Sequence, residues 1–126
     1  MPPSSEPLAT FERRPLASSL GGVSRCELAL KGRVYADVSP QLRDELSRAV
    51  EGGARELLVD CTHLEQIDSA GLNEFVQLLK RVRPLGGKIV FFGLSASIQR
   101  VFDITKLNRV MTVARTRDDA LAGLAS

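Results

Sequence analysis

The sequence predicts an α/β domain built on a partly parallel sheet. From Ser39 onward the patterns alternate helix, strand, helix, strand, helix, strand, helix, the order that lays crossover helices against parallel strands. The strand candidates in that stretch, Glu56–Cys61, Lys88–Phe92 and Val110–Ala114, are apolar runs bounded by turn residues and too short for buried helices. The helix candidates instead repeat apolar residues every three or four positions, most clearly at Leu72, Phe75, Val76, Leu79 and Val82.

The elements follow in order. Met1 to Pro7 is rich in Pro and Ser and reads as a disordered tail, leaving residues 8–126 as the domain. Leu8–Arg14 is a marginal first strand, and Pro15–Gly22 a loop opened by Pro and closed by a Gly pair. Val23–Lys31 alternates, with Cys26, Leu28 and Leu30 inward, and Gly32 is expected to end it. Ser39-Pro40 marks a helix start, Ser as cap and Pro in the first turn, and Gly52-Gly53 stops that helix after Leu42, Leu46, Ala49 and Val50. After the strand at Glu56–Cys61, Thr62–Gln66 reads as a polar loop. The helix carrying Leu72–Val82 runs to about Pro84, and Gly86-Gly87 turns into the strand Lys88–Phe92. Ser95 caps a short helix with Ile98, Val101, Phe102 and Leu107, and Thr116 opens a terminal helix with Ala120, Leu121 and Leu124.

Composition narrows the function. A chain of 126 residues, 44% apolar and 25% charged, supports one domain with a core that needs no metal or disulfide. The net charge of +2, from 17 basic and 15 acidic residues, is too balanced and dispersed for nucleic acid. The apolar runs are too short to span a bilayer, and the first residues lack a signal-peptide layout, so a cytoplasmic protein without membrane insertion is expected. Cys26 and Cys61 have no C-x-x-C spacing and read as core thiols; with the lone His63 they form no recognised zinc pattern.

Ser69 stands at the entrance of the Leu72–Val82 helix. The first turn of a helix carries unpartnered N–H groups and the positive end of the macrodipole. A serine there can cap the helix through its oxygen; phosphorylated, it would place about −1.5 to −2 charges where N–H groups point. Both readings stand on these residues alone. A nucleophilic role does not: His63, six residues earlier, is the only His, and Ile67 stands where a G-x-S-x-G elbow needs glycine.

Three motifs in order carry a resemblance. Asp68-Ser69-Ala70-Gly71-Leu72, the Gly86-Gly87 turn before a strand, and Arg100-Val101-Phe102-Asp103-Ile104-Thr105-Lys106-Leu107 resemble the STAS domain, in particular bacterial anti-sigma factor antagonists. The resemblance spans roughly residues 23 to 124. It implies a STAS-type fold, a small mixed sheet with helices packed on it, and a non-enzymatic protein-binding role without cofactor. It further implies that the unphosphorylated chain binds an anti-sigma factor serine kinase, that ATP belongs to that kinase, and that phosphorylation at Ser69 releases it. A PP2C-type phosphatase would reverse the step. Carried over, the partner surface is Asp68, Ser69, Ala70 and Gly71, with Asn73, Thr62 and Ser95 around it, and Gly71 leaves room for the partner. Ser69 is then phosphoacceptor and cap at once. The chain departs from the antagonists where they carry G-E-x-D, having Gly32-Arg33-Val34-Tyr35, and on the motif helix, whose exposed face is expected to carry Asn73, Glu74 and Gln77. Two other STAS roles compete: a subunit binding the ATPase of a membrane lipid transporter, and a stress-complex scaffold.

Overall fold

A computed structural model describes residues 9–18 and 22–125; the expected N-terminal tail, Leu8, and residues 19–21 of the following loop lie outside them. The described chain forms one five-stranded sheet in the order β1-β2-β3-β4-β5. These are β1 (Ala9–Leu16), β2 (Arg25–Val34), β3 (Glu56–Ile67), β4 (Lys88–Phe92) and β5 (Thr112–Ala114). β1 is antiparallel to β2, and every later pairing is parallel. The helices α1 (Ser39–Glu51), α2 (Ser69–Val82), α3 (Ala96–Ile104) and α4 (Arg117–Ala125) fall between and after the strands, as the alternation predicts. The sheet is therefore mixed, with one antiparallel strand at its edge.

Both faces are covered. On one, Leu42 and Leu46 of α1, Leu72, Phe75 and Leu78 of α2, and Ile98 and Phe102 of α3 pack on Leu28, Leu30, Leu57, Val59, Ile89 and Phe91. Phe91 stacks edge-on against Phe75 and Phe102, at centroid distances of 5.0 and 5.1 Å. Each such side chain, fully buried, contributes about 1.5–3 kcal/mol of transfer free energy. On the other face α4 sets Ala120 and Leu124 on Leu58, Val90 and Phe92.

Among the described residues three glutamates are buried, and each has an arginine: Glu27 with Arg117 at 2.8 Å, Glu56 with Arg25 at 2.8 Å, and Glu74 with Arg43 at 3.0 Å. A buried carboxylate without a cation is costly, so these pairs hold α4 to β2, β2 to β3 and α1 to α2. Hydrogen bonding to Glu74 and to Glu27 raises the pKa of Arg43 and of Arg117 above the ordinary guanidinium value. Cys26 and Cys61 are free thiols in the core, and burial raises the pKa of both.

The structure corrects several local expectations. Residues Thr62–Gln66 are not a loop but the second half of β3, and β2 runs through Gly32 to Val34. Ser39 is the first residue of α1 rather than its cap; its hydroxyl donates to the Ala36 carbonyl at 3.2 Å, and the cap position is Val38. Leu107 lies in a separate 3-10 turn, Leu107–Arg109, and the last strand begins at Thr112. Glu74 points inward to Arg43, so only Asn73 and Gln77 of the expected trio are exposed.

Candidate functional site

β4 ends opposite Asp60, so among the described residues the remainder of β3, Cys61 to Ile67, has β2 as its only strand partner. Between Ala29 and Lys31 of β2 the partner strand advances from Asp60 to His63, and between Gly32 and Arg33 from Leu64 to Gln66. β3 thus carries one extra residue at each of two bulges, which bend and twist a pair of strands. This ribbon delivers the chain to Asp68, whose N–H donates to the Val34 carbonyl at 3.1 Å.

Asp68 is the organising residue. Its backbone is extended (φ −100°, ψ −178°), and its carbonyl accepts the first helical bond of α2 from Leu72 at 3.0 Å. One carboxylate oxygen accepts from the Gly71 N–H at 3.0 Å, and the other from the Ala36 N–H at 3.1 Å. One side chain therefore caps α2 and ties to it the turn that follows β2, where the Tyr35 carbonyl accepts from Val38 and Ser39. The Tyr35 hydroxyl donates to the Gln66 side-chain oxygen, closing that turn onto β3.

Ser69 is accordingly the first helical residue and not the cap, a correction of the sequence reading. Both Asp and Ser are strong N-cap residues, and Asp68 takes the position because it is the one with extended backbone just before the helix. The consequence for Ser69 is freedom. Its side chain is exposed, and its hydroxyl makes no hydrogen bond among the described residues. The backbone N–H groups of Ser69 and Ala70 likewise have no acceptor among the described residues, so the helix start still presents donors and the positive end of its dipole.

Gly71 is buried, and the reason is internal. A Cβ there would lie 2.8 Å from Ile67 Cγ1, 2.9 Å from Val34 Cγ1 and 3.1 Å from the Val34 carbonyl oxygen. The space at Gly71 is filled by the ends of β2 and β3, not offered to a partner. Ala70 is half-buried, and Asn73 is exposed one turn beyond Ser69, accepting from the Gln77 amide at 3.4 Å.

Thr62 and Ser95 form a second group. Thr62 donates through its N–H and hydroxyl to Asp60 at 2.9 and 2.5 Å and lies against Gly93, where a Cβ would stand 2.6 Å from its oxygen. Ser95 caps α3, accepting from the Ile98 N–H at 3.3 Å. No hydrogen bond among the described residues joins either to Asp68 or Ser69. The sequence reading set Tyr35 only against the antagonists' acidic pattern and missed Ala36 and Gln66; the fold places the Ala36 N–H on the Asp68 carboxylate and joins Tyr35 to Gln66. Their signal is weak because an N–H donor at Ala36 leaves no trace in residue type.

Among the described residues no three His, Cys, Asp or Glu side chains gather where they could hold a metal ion, and no helix is long and apolar enough to cross a membrane. The family model of the STAS domain matches residues 15–120. The chain belongs to the STAS domain family. Among the proteins it is similar to is BtrV of Bordetella bronchiseptica, 32% identical over 93 residues that span 74% of this chain and 80% of that one. The anti-sigma-B factor antagonist of Staphylococcus aureus is 30% identical over 87 residues, 69% of this chain and 81% of that protein. The fold is shared with the phosphorylated form of the Bacillus cell fate determinant SpoIIAA, with a TM-score of 0.67, 18% identity, and coverage of 90% of this chain and 97% of that one.

Proposed function

We propose that this STAS protein is an anti-sigma factor antagonist whose grip on an anti-sigma factor serine kinase is switched by phosphorylation of Ser69. The observation that carries the reading is the division of labour at the start of α2: Asp68 does the capping, which leaves the Ser69 hydroxyl exposed and without a partner. A kinase that docks on this surface transfers the γ-phosphoryl group of its ATP to that oxygen, and the hydroxyl proton leaves to a base on the kinase. The product adds about −1.5 to −2 charges beside the Asp68 carboxylate. A close-fitting partner surface then meets added bulk and two adjacent negative groups, and dissociates. A phosphatase of the PP2C type restores the binding form. Ala70 and Asn73, on the turns nearest Ser69, belong to the same contact surface; Thr62 and Ser95 extend it at the end of β4.

The test is a pull-down from lysate of the source organism with wild type, Ser69→Ala and Ser69→Asp as baits. Wild type and Ser69→Ala retain a small ATP-binding anti-sigma kinase, Ser69→Asp does not, and phosphate appears on wild type alone by mass spectrometry. Equal retention of the kinase by Ser69→Asp, recovery of a transporter ATPase by all three baits, or phosphate on Ser69→Ala refutes the reading.

A further inference from the structure

The two edges of the sheet are built differently. The outer edge of β1 is guarded in the usual ways, with Glu12, Arg13, Arg14 and Pro15 along the strand. Among the described residues β5 pairs only with β4, and Thr112–Ala114 carries neither charge nor proline. Beside it runs an open cleft of about 890 Å³, with the segment from Asn108 to Arg115 as one wall and Leu94, Ala96 and Gln99, from the turn after β4 and the first turn of α3, as the other. A free strand edge facing a helix across a groove is the geometry into which an extended peptide adds as a further strand. The volume lies in the upper part of the roughly 300–1,000 Å³ usual for ligand clefts.

The lining decides the occupant. Met111 and half-buried Val113 give the cleft an apolar floor, and Val110 is 47% exposed at its rim. Arg109 and Arg115 are exposed on the same rim; among the described residues their guanidinium groups have no ion pair and no Asp or Glu lines the cleft. We infer that this edge is a second docking surface, separate from the start of α2, for an extended acidic segment of another protein. Its apolar side chains alternate with carboxylates that meet Arg109 and Arg115. A second copy of this chain fits poorly, because its own β5 edge brings the same Arg109 and Arg115, and like charges collect. The chain's own first residues, MPPSSEPL, carry three prolines, which cannot donate to a ladder.

The test uses the isotopically labelled full chain and two capped hexapeptides, one alternating glutamate with valine and one alternating lysine with valine, followed by amide NMR. The glutamate peptide gives saturable shifts confined to residues 108–115 and 94–99 and slows amide exchange within Thr112–Ala114, while the lysine peptide does not bind. The double variant Arg109→Glu, Arg115→Glu, both surface positions, binds the glutamate peptide about tenfold more weakly, since two exposed ion pairs are lost. Absence of shifts along β5, equal binding of both peptides, or unchanged affinity in the double variant overturns the inference. So do shifts along Thr112–Ala114 that depend on protein concentration without peptide, which would give the edge to a second copy.

Discussion

Gly71→Ala separates an internal role for that glycine from a partner-binding one. Two terms oppose each other. Alanine in place of glycine within a helix is favoured by about 0.5–1 kcal/mol, because the unfolded chain has less freedom to lose. Against this, the new methyl would stand 2.8 and 2.9 Å from carbons of Ile67 and Val34, where carbon contacts are optimal near 3.5–4.0 Å. Neither neighbour has room to retreat, since Val34 is 0% and Ile67 7% exposed. The third contact is the Val34 carbonyl, which already holds the Asp68 N–H, so moving β2 away stretches the bond that seats the start of α2. Overpacking of this kind costs about 1–3 kcal/mol, which leaves a net loss of roughly 0.5–2 kcal/mol. With a urea slope of about 1–3 kcal/mol/M, the unfolding midpoint falls by roughly 0.2–2 M in the absence of any partner. An isolated variant as stable as wild type, with only partner binding impaired, would refute the packing argument and return Gly71 to the interface.

The cap assignment predicts unequal costs at neighbouring positions: Asp68→Ala lowers stability by about 1–2 kcal/mol through loss of the cap and of the tie to Ala36, whereas Ser69→Ala is nearly neutral. Paired urea melts of the two variants check this, and a larger loss for Ser69→Ala would put the cap back on serine. The thiols of Cys26 and Cys61 are raised by burial and stay protonated, so a disulfide reagent at pH 8 titrates neither in the native chain and both after denaturation. The same shift sets the sign of one pH effect. The folded state holds these protons more tightly than the unfolded, so the contribution is complete below about pH 8.5 and declines as pH rises beyond it. A melting temperature that rises between pH 8 and 10 would contradict this.

Helix positions were legible because apolar spacing in α1, α2 and α3 follows the buried face, and β4 was legible because both its faces are covered and it reads as an unbroken apolar run. The second half of β3 was not. Its buried residues Cys61, Leu64 and Ile67 fall every third position, since each bulge inserts a residue, and a period of three matches neither strand nor helix. The inward glutamates were hidden for another reason: Glu27 and Glu74 look like surface residues until arginines 90 and 31 positions away are brought to them. At the site, the motif fixed where the helix begins, but residue preference alone could not choose between Asp68 and Ser69 as its cap. Backbone geometry made that choice.

The placement of α4 bears on how the chain is made. Leu58, Val90 and Phe92 lie on strands near the middle of the sequence, yet the helix that shields them is formed by residues 117–125. During synthesis the sheet can be assembled, with α1 to α3 on its other side, while this apolar surface still faces water. The interval before Ala120 and Leu124 arrive is when the nascent protein is most exposed to self-association and most in need of a chaperone. Glu27, buried beneath the incoming helix, gains its Arg117 counter-ion only at that final docking.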